Sequence, residues 1–376
     1  MNFKQVLKII FFMLILGVIV YFLCDIFEIK NGYMSKGYAS YKNFEEDTID
    51  AVFIGTSGVN RSWIAVEAFD LYGMTVATLS TDALPCWITL DMIKEAYKYQ
   101  NPKLVILDMR MFTKYDPSKY PELSMTRARR AIDTLDFFSW NRIDAINRTL
   151  ELGSTYDIGI SRFDPSFFFS FIQYHEMWSE DDFEIFSEIG SPTATYLGFY
   201  VNKKKSIYVE PQKKSKWTDE YLEIAPIAIE CLDEILEYCD ENNIELLFVD
   251  TPHTLSSSDS KRNNEFCRLL DERNQKYVLF TDPEYVYTAE DADDPEAKEN
   301  KINRKKHYYD VNHLNFYGAE IFTRIFAEYL KENYDLPDHT GDERCPEWVG
   351  KYTKLKKLMA SYKKQQKEKE ENKKNS

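Results

Sequence analysis

Short, almost wholly apolar runs alternate with amphipathic stretches, and they constrain this chain more than any other feature. Leu104–Asp108 reads LVILD, Glu245–Asp250 reads ELLFVD and Tyr277–Thr281 reads YVLFT. Two further runs, Asp50–Ile54 and Met74–Leu79, come earlier. A strand that is apolar at nearly every position has to be covered on both faces, which is the condition of a buried parallel strand. Helical stretches at 63–72, 90–99, 222–242, 261–274 and about 315–333 lie between and after these runs. Strand alternating with helix predicts an α/β fold, a three-layer parallel sheet of about five strands. Ligands bind such sheets beyond the carboxyl ends of the strands. Ser57, Ser80, Asp108, Asp250 and His253 all fall at or just after a strand end.

The alternation is interrupted once, at about 110–221. A helical stretch at 127–152 and an aromatic-rich segment at 163–186 lie inside this interval. It is too long for a loop and too irregular for another strand–helix unit, so a largely helical insertion capping the sheet edge is expected. Within it, Tyr174-His175-Glu-Met-Trp178 and Asp181-Asp-Phe183 form a cluster, with His175 more readily bonded inside the insertion than to a ligand. Aromatic residues make up 15% of the chain, and most of the rings are expected in the core.

The N-terminus is of another kind. Val6–Phe27 is strongly apolar, and Ile9–Cys24 is uninterrupted. Lys8 and Asp25 flank the run, where side chains can reach a membrane interface. No small-x-small site follows, and neither Phe22 nor Leu23 is the small residue that a lipoprotein signal places before its Cys. An uncleaved single-pass helix is expected. Lys4 and Lys8 precede it while Asp25 and Glu28 follow, which orients the bulk of the chain outside the cell. The domain reading is an anchor at 1–28, a polar Tyr-rich stalk at 29–49, the α/β domain with its insertion at 50–336, and a basic tail at 337–376. From Lys351 that tail is Lys-rich with little apolar content, and reads as a frayed helix or a solvated, disordered segment whose charge can rest on anionic lipid or polymer.

Two short motifs carry chemistry. The first strand runs into Gly55-Thr56-Ser57-Gly58, which puts Ser57 on the turn leaving the strand. Near the C-terminus stands Asp310-Val-Asn-His313. A carboxylate three residues before an imidazole can orient it, and the imidazole can then act as a general base for a serine. The order Ser, Asp, His, with the last two close together, resembles the SGNH (GDSL-like) hydrolase superfamily over roughly residues 50–330.

That resemblance implies an SGNH/flavodoxin-like sheet, a Ser57–His313–Asp310 triad and acyl chemistry on esters. It also implies three oxyanion donors: the Ser57 N–H, an N–H after the second strand, here in Leu79-Ser80-Thr-Asp82, and an Asn side chain after the third. The third position reads Asp108-Met-Arg110, with no Asn. An Asp there would repel an oxyanion, while Arg110 offers donors unless it pairs with Asp108. His253, in Thr251-Pro-His-Thr254, is a further candidate at the site mouth. Divergence in these middle blocks, together with an anchor, is similar to the membrane-anchored DltD-like subset associated with O-acyltransferases. For such a protein the resemblance implies O-acetyl or similar transfer, or ester hydrolysis, on a cell-envelope polysaccharide or teichoic acid in a bacterial envelope. The partner implied is a membrane-bound O-acyltransferase. The alternative is a catalytically inactive member of the fold that binds glycan or scaffolds that enzyme.

Several classes are disfavoured. A net charge of −15 argues against nucleic acid as a partner of the body. Of six cysteines, Cys24 lies in the apolar run, and Cys86, Cys231, Cys239, Cys267 and Cys345 show neither C-x-x-C nor metal-ligand spacing. No cofactor and no metal is expected. The acidic run Glu290–Glu299 reads as a solvated loop, and the sequons at Asn60 and Asn147 are discounted. The topology is checked by adding protease to intact cells or protoplasts: the body should be digested, and full protection contradicts the outward orientation.

Overall fold

The computed structural model describes residues 2–27, 33–114, 116, 119, 121–155, 163–174, 193–288, 290, 291 and 293–374. The His175–Trp178 and Asp181–Phe183 cluster lies outside them. Five strands form one parallel sheet: β1 (Ala51–Gly55), β2 (Val76–Ser80), β3 (Leu104–Asp108), β6 (Glu245–Asp250) and β7 (Tyr277–Leu279). Their spatial order is β2-β1-β3-β6-β7. Two antiparallel hairpins stand apart from the sheet, β4 (Thr193–Tyr196) with β5 (Phe199–Asn202), and β8 (Tyr308–Asp310) with β9 (His313–Leu314). The expected α/β architecture is present, with element ends displaced by a few residues.

The register explains the two-sided core. Phe53, Ile106 and Leu247 are aligned across β1, β3 and β6, and Ile54, Leu107 and Phe248 form the next row. Successive residues of a strand point to opposite faces. On one face Phe53 packs against Trp63 and Phe326, with ring centroids 6.5 and 5.6 Å away. That layer consists of helices Ala65–Tyr72 and Phe316–Asn333. On the other face Phe248 meets Phe112 and Phe266, at 6.2 and 5.9 Å. Helices Cys86–Ala96, Pro226–Glu241 and Ser257–Glu272 form that layer. Many aromatic residues lie in this core, whereas Phe138, Trp140, Phe163 and Tyr221 are exposed.

Among the described residues, the interruption between β3 and β6 contains helices Pro121–Ile132 and Trp140–Thr155, three short helices (Arg110–Thr113, Pro165–Phe168 and Ser170–Tyr174) and the β4–β5 hairpin. Trp87 Nε1 donates to Thr149 Oγ1 at 3.2 Å and ties this insertion to helix Cys86–Ala96. The N-terminal helix, Phe3–Phe27, has 25 residues, about 37 Å at 1.5 Å per residue, enough for a bilayer core. Among the described residues it is the one helix long and apolar enough to cross a membrane, and its side chains before Cys24 are exposed or partly exposed, whereas Cys24 itself is buried. Its end touches the insertion, where Ser170 Oγ donates to the Cys24 carbonyl at 2.8 Å.

Two sequence expectations change at the edges of the domain. The supposed stalk contains a helix, Tyr33–Lys42, whose Tyr38 and Tyr41 are buried against the domain. The basic tail forms a helix, Lys351–Lys374, preceded by a buried Trp348. Tyr352, Leu355 and Met359 repeat at helical spacing and bury one stripe of its first half. These few apolar residues were outweighed by the lysines in the composition, although spacing decides burial. Leu355→Ala should therefore destabilise the protein by about 2–5 kcal/mol, whereas Lys367→Ala should change it by less than about 0.5 kcal/mol. Urea unfolding checks both, and a neutral Leu355→Ala would contradict the packing.

Candidate functional site

Ser57 begins the short helix Ser57–Ser62, directly after β1. Thr56 caps that helix: its Oγ1 accepts from Gly58 N–H at 3.1 Å. The same hydroxyl donates to Asp108 Oδ2, which also accepts the Thr56 N–H at 3.1 Å. The other carboxylate oxygen, Oδ1, takes the Arg110 N–H at 3.2 Å and Thr251 Oγ1 at 3.4 Å. Asp108 is fully buried and all four of these groups donate to it. Its carboxylate is thus turned onto the backbone of the Ser57 turn.

Both glycines of Gly55-Thr-Ser-Gly58 are explained by this crowding. A Cβ at Gly55 would collide with Asp108 and Val59, and one at Gly58 with Thr251 Oγ1 and the Arg110 guanidinium. The motif lets β1 and β3 converge beneath the serine.

The second motif arrives from the opposite end of the chain. Asp310 and His313 face each other across the small β8–β9 hairpin. Asn315 then caps helix Phe316–Asn333, accepting the Gly318 N–H at 3.1 Å. Its amide donates to the Lys306 and Tyr208 carbonyls, at 2.8 and 3.2 Å, so both sides of the turn are fixed. His313 Nδ1 lies 2.8 Å from Asp310 Oδ1, and His313 Nε2 lies 2.7 Å from Ser57 Oγ. With Nδ1–H donated to the carboxylate, Nε2 carries the lone pair that accepts the serine proton. Residues 256 positions apart are thereby joined in one hydrogen-bonded line. Such a line has the geometry that general-base activation of a hydroxyl requires.

Burial holds the His313 imidazolium below its ordinary range; the Asp310 hydrogen bond opposes this, and the Arg110 and Arg61 charges add to it. For Asp310, burial pushes upward, but the His313 hydrogen bond and charge outweigh it and the carboxyl lies below its usual range. Tyr309 stacks on the His313 ring at 5.4 Å and 12°. Ser57 is 8% exposed, so the hydroxyl sits in a sheltered position.

The remaining predicted residues take different places. Arg110 is buried, and its Nη1 donates to the Asn312 carbonyl at 3.1 Å within the Asp310–His313 turn. The Arg110 Nε has no partner among the described residues. Arg110 therefore links the two motifs, and its side chain makes no pair with Asp108. Ser80 ends β2 in register with Gly55 and is buried. The following Thr81 N–H is already donated to the Gly55 carbonyl at 3.1 Å. The Ser57 N–H, an orphan donor at the helix start, has no hydrogen-bond partner among the described residues.

His253 is only 2% exposed and does not line the mouth. Its Nδ1 donates to the Thr251 carbonyl at 2.9 Å. Burial, then the Lys114 and Arg110 charges, holds it well below its usual range and neutral.

Several neighbours were not singled out in the sequence. Arg61, one helical turn after Ser57, lies 3.2 Å over the Tyr200 ring. Lys205 lies 5.8 Å over Tyr309. Lys114 Nζ donates to Asn312 Oδ1 at 2.9 Å, and burial, then the Arg110 charge, pushes its ammonium down to about 7. Only Arg61 had a local signal, its i+4 spacing from Ser57. The others come from distant segments of the chain.

The Asp108 arrangement has a measurable consequence. Asp108→Ala leaves four donors without their acceptor, each costing about 1–3 kcal/mol if it stays unsatisfied. The substitution should destabilise the protein by at least about 3 kcal/mol, while Ser57→Ala should cost no more than about 1 kcal/mol. Urea midpoints decide, and equal, small losses would contradict the assigned role of Asp108.

No family model matches the chain, and no curated protein matches it. Among solved structures, a "putative acylhydrolase" from Bacteroides fragilis NCTC 9343 aligns over 78% of this chain and 94% of its own, with a TM-score of 0.34 and 8% identity. At that distance the likeness says nothing about chemistry.

Proposed function

We propose that this chain is a membrane-anchored SGNH-like serine acyltransferase or esterase, acting outside the cell on acyl esters of an envelope polysaccharide or teichoic acid. The observation that carries the reading is the unbroken Asp310–His313–Ser57 line, with contacts of 2.8 and 2.7 Å. In the first step Ser57 Oγ attacks the acyl carbonyl as its proton passes to His313 Nε2. Negative charge grows on the carbonyl oxygen. The Ser57 N–H and the positive field of Arg110, whose guanidinium lies against Gly58, oppose it. Collapse breaks the ester bond, and the leaving oxygen takes the proton from His313. Water then attacks the acyl-serine for hydrolysis, or a polymer hydroxyl attacks it for transfer, with His313 again accepting the proton; the acyl–Oγ bond breaks and His313 returns that proton to Ser57 Oγ.

The charge near the site supports a polymer with anionic groups. Arg110 lies against the serine turn, and Arg61 and Lys205 lie over the Tyr200 and Tyr309 rings beside it. An anchor at the N-terminus keeps such a site near the membrane, where a membrane-bound O-acyltransferase is the expected partner and acyl donor.

Hydrolysis of an acyl ester surrogate and the acyl content of envelope polymer in cells test the reading. Ser57→Ala and His313→Ala should each lower the rate by about three powers of ten or more, and the double variant should be no worse than either. Asp310→Asn should cost as much or less. Full activity in folded Ser57→Ala overturns the enzyme and leaves the binding or scaffolding alternative. A pH profile adds a second check. The base works only when neutral, and the His313 pKa is held below its ordinary 6.5, so the acid limb of kcat/KM should lie below pH 6.5. Arg110→Met removes a charge that depresses His313 and should move that limb to higher pH.

A further inference from the structure

The amino end of the sheet, opposite Ser57, holds a second cluster of reactive side chains. Beyond helix Phe316–Asn333 the chain winds in successive turns: Asp342 N–H donates to the His339 carbonyl at 3.0 Å, Cys345 N–H to Asp342 at 3.1 Å and Trp348 N–H to Cys345 at 3.2 Å. Three residues per turn bring 339, 342 and 345 onto one side. A His339 ring nitrogen, an Asp342 carboxylate oxygen and Cys345 Sγ all lie within 4.8 Å of one another.

The orientation of His339 is the telling feature. Its Nε2 lies 2.6 Å from Asp50 Oδ2, at the foot of β1. That oxygen also accepts Thr75 Oγ1 at 2.8 Å, from the residue before β2. With Nε2–H donated to Asp50, the Nδ1 lone pair faces Asp342 Oδ2 at 3.2 Å. Two acceptors then face each other with no proton between them, beside the Cys345 sulfur, an arrangement that calls for a cation. A ring nitrogen on the ligand side with a carboxylate behind the other nitrogen is how metal-binding histidines are oriented.

We propose that His339, Asp342 and Cys345 bind a divalent metal ion of zinc type, with Asp50 as the positioning residue. Nitrogen, carboxylate oxygen and thiolate sulfur together match Zn2+ among the common divalent ions. Water completes the four-coordinate shell, and the Cys345 thiol proton passes to solvent on binding. Arg344, which donates to both Asp342 oxygens at 3.1 and 2.7 Å, has a 55% exposed side chain and can turn away to solvent. The role is structural. The ion pins the segment that precedes helix Lys351–Lys374 to the foot of β1 and β2, leaving the Ser57 edge untouched.

Chelator-treated full-length chain in detergent, titrated with Co2+, provides the test. One equivalent should produce tetrahedral visible bands and a near-ultraviolet thiolate-to-cobalt band, and Zn2+ should abolish both. Cys345→Ser should lose the near-ultraviolet band. Because Cys345 is 1% exposed and its variant can misfold, Asp342→Asn provides the second arm, with folding checked by circular dichroism. It should weaken binding at least tenfold, and Asp50→Asn about ten- to a hundredfold. Absence of the thiolate band, or unchanged affinity in folded Asp342→Asn, overturns the site and leaves a proton alone between His339 and its two carboxylates.

Discussion

Everything at the Ser57 edge depends on one buried carboxylate. Asp108 ends β3, and its two oxygens accept from Thr56 twice, from Arg110 and from Thr251. Three consecutive neighbours in the sheet, β1, β3 and β6, are thereby tied together just beyond their carboxyl ends. The Ser57 turn is held from below, and the serine is left to face the hairpin bearing Asp310 and His313. A buried carboxylate with both oxygens paired in this way rigidifies its surroundings. Arg110 extends the network upward to the Asn312 carbonyl, so the two halves of the site share one scaffold.

The sequence made the sheet legible because its strands are buried on both faces and so carry almost uninterrupted apolar runs. It made the grouping of Ser57, Asp310 and His313 legible because each lies in a short local motif. The part Asp108 plays was not legible from its residue type. Its carboxylate is taken up by the Thr56 hydroxyl and N–H, the Arg110 N–H and the Thr251 hydroxyl, partners that come from three separate segments. The pairing considered for Arg110 and Asp108 failed similarly, because only the Arg110 N–H reaches Asp108 while its guanidinium crosses to Asn312. His253 lies after a strand end as expected, yet the Thr251 carbonyl draws its ring into the interior.

The edges of the domain were less legible. Tyr38, Tyr41, Tyr352, Leu355 and Met359 are few among polar neighbours, and only tertiary contact shows which of them pack. Likewise Arg61, Tyr200, Lys205 and Tyr309 come together from three segments, and the i+4 spacing of Arg61 from Ser57 is the one local pattern among them. The sequence reading found no metal-ligand spacing around Cys345, because the period of three in His339, Asp342 and Cys345 becomes meaningful only once the chain is seen to wind at that period.

The central claim is that His313 makes Ser57 nucleophilic. A fluorophosphonate probe tests it most directly, because its phosphorus forms a bond to an activated serine oxygen and expels fluoride. Peptide mass spectrometry of the labelled full-length chain should place the adduct on Ser57. The labelling rate should fall by about three powers of ten in His313→Ala. No adduct on Ser57, or one that forms equally fast without His313, would contradict the account.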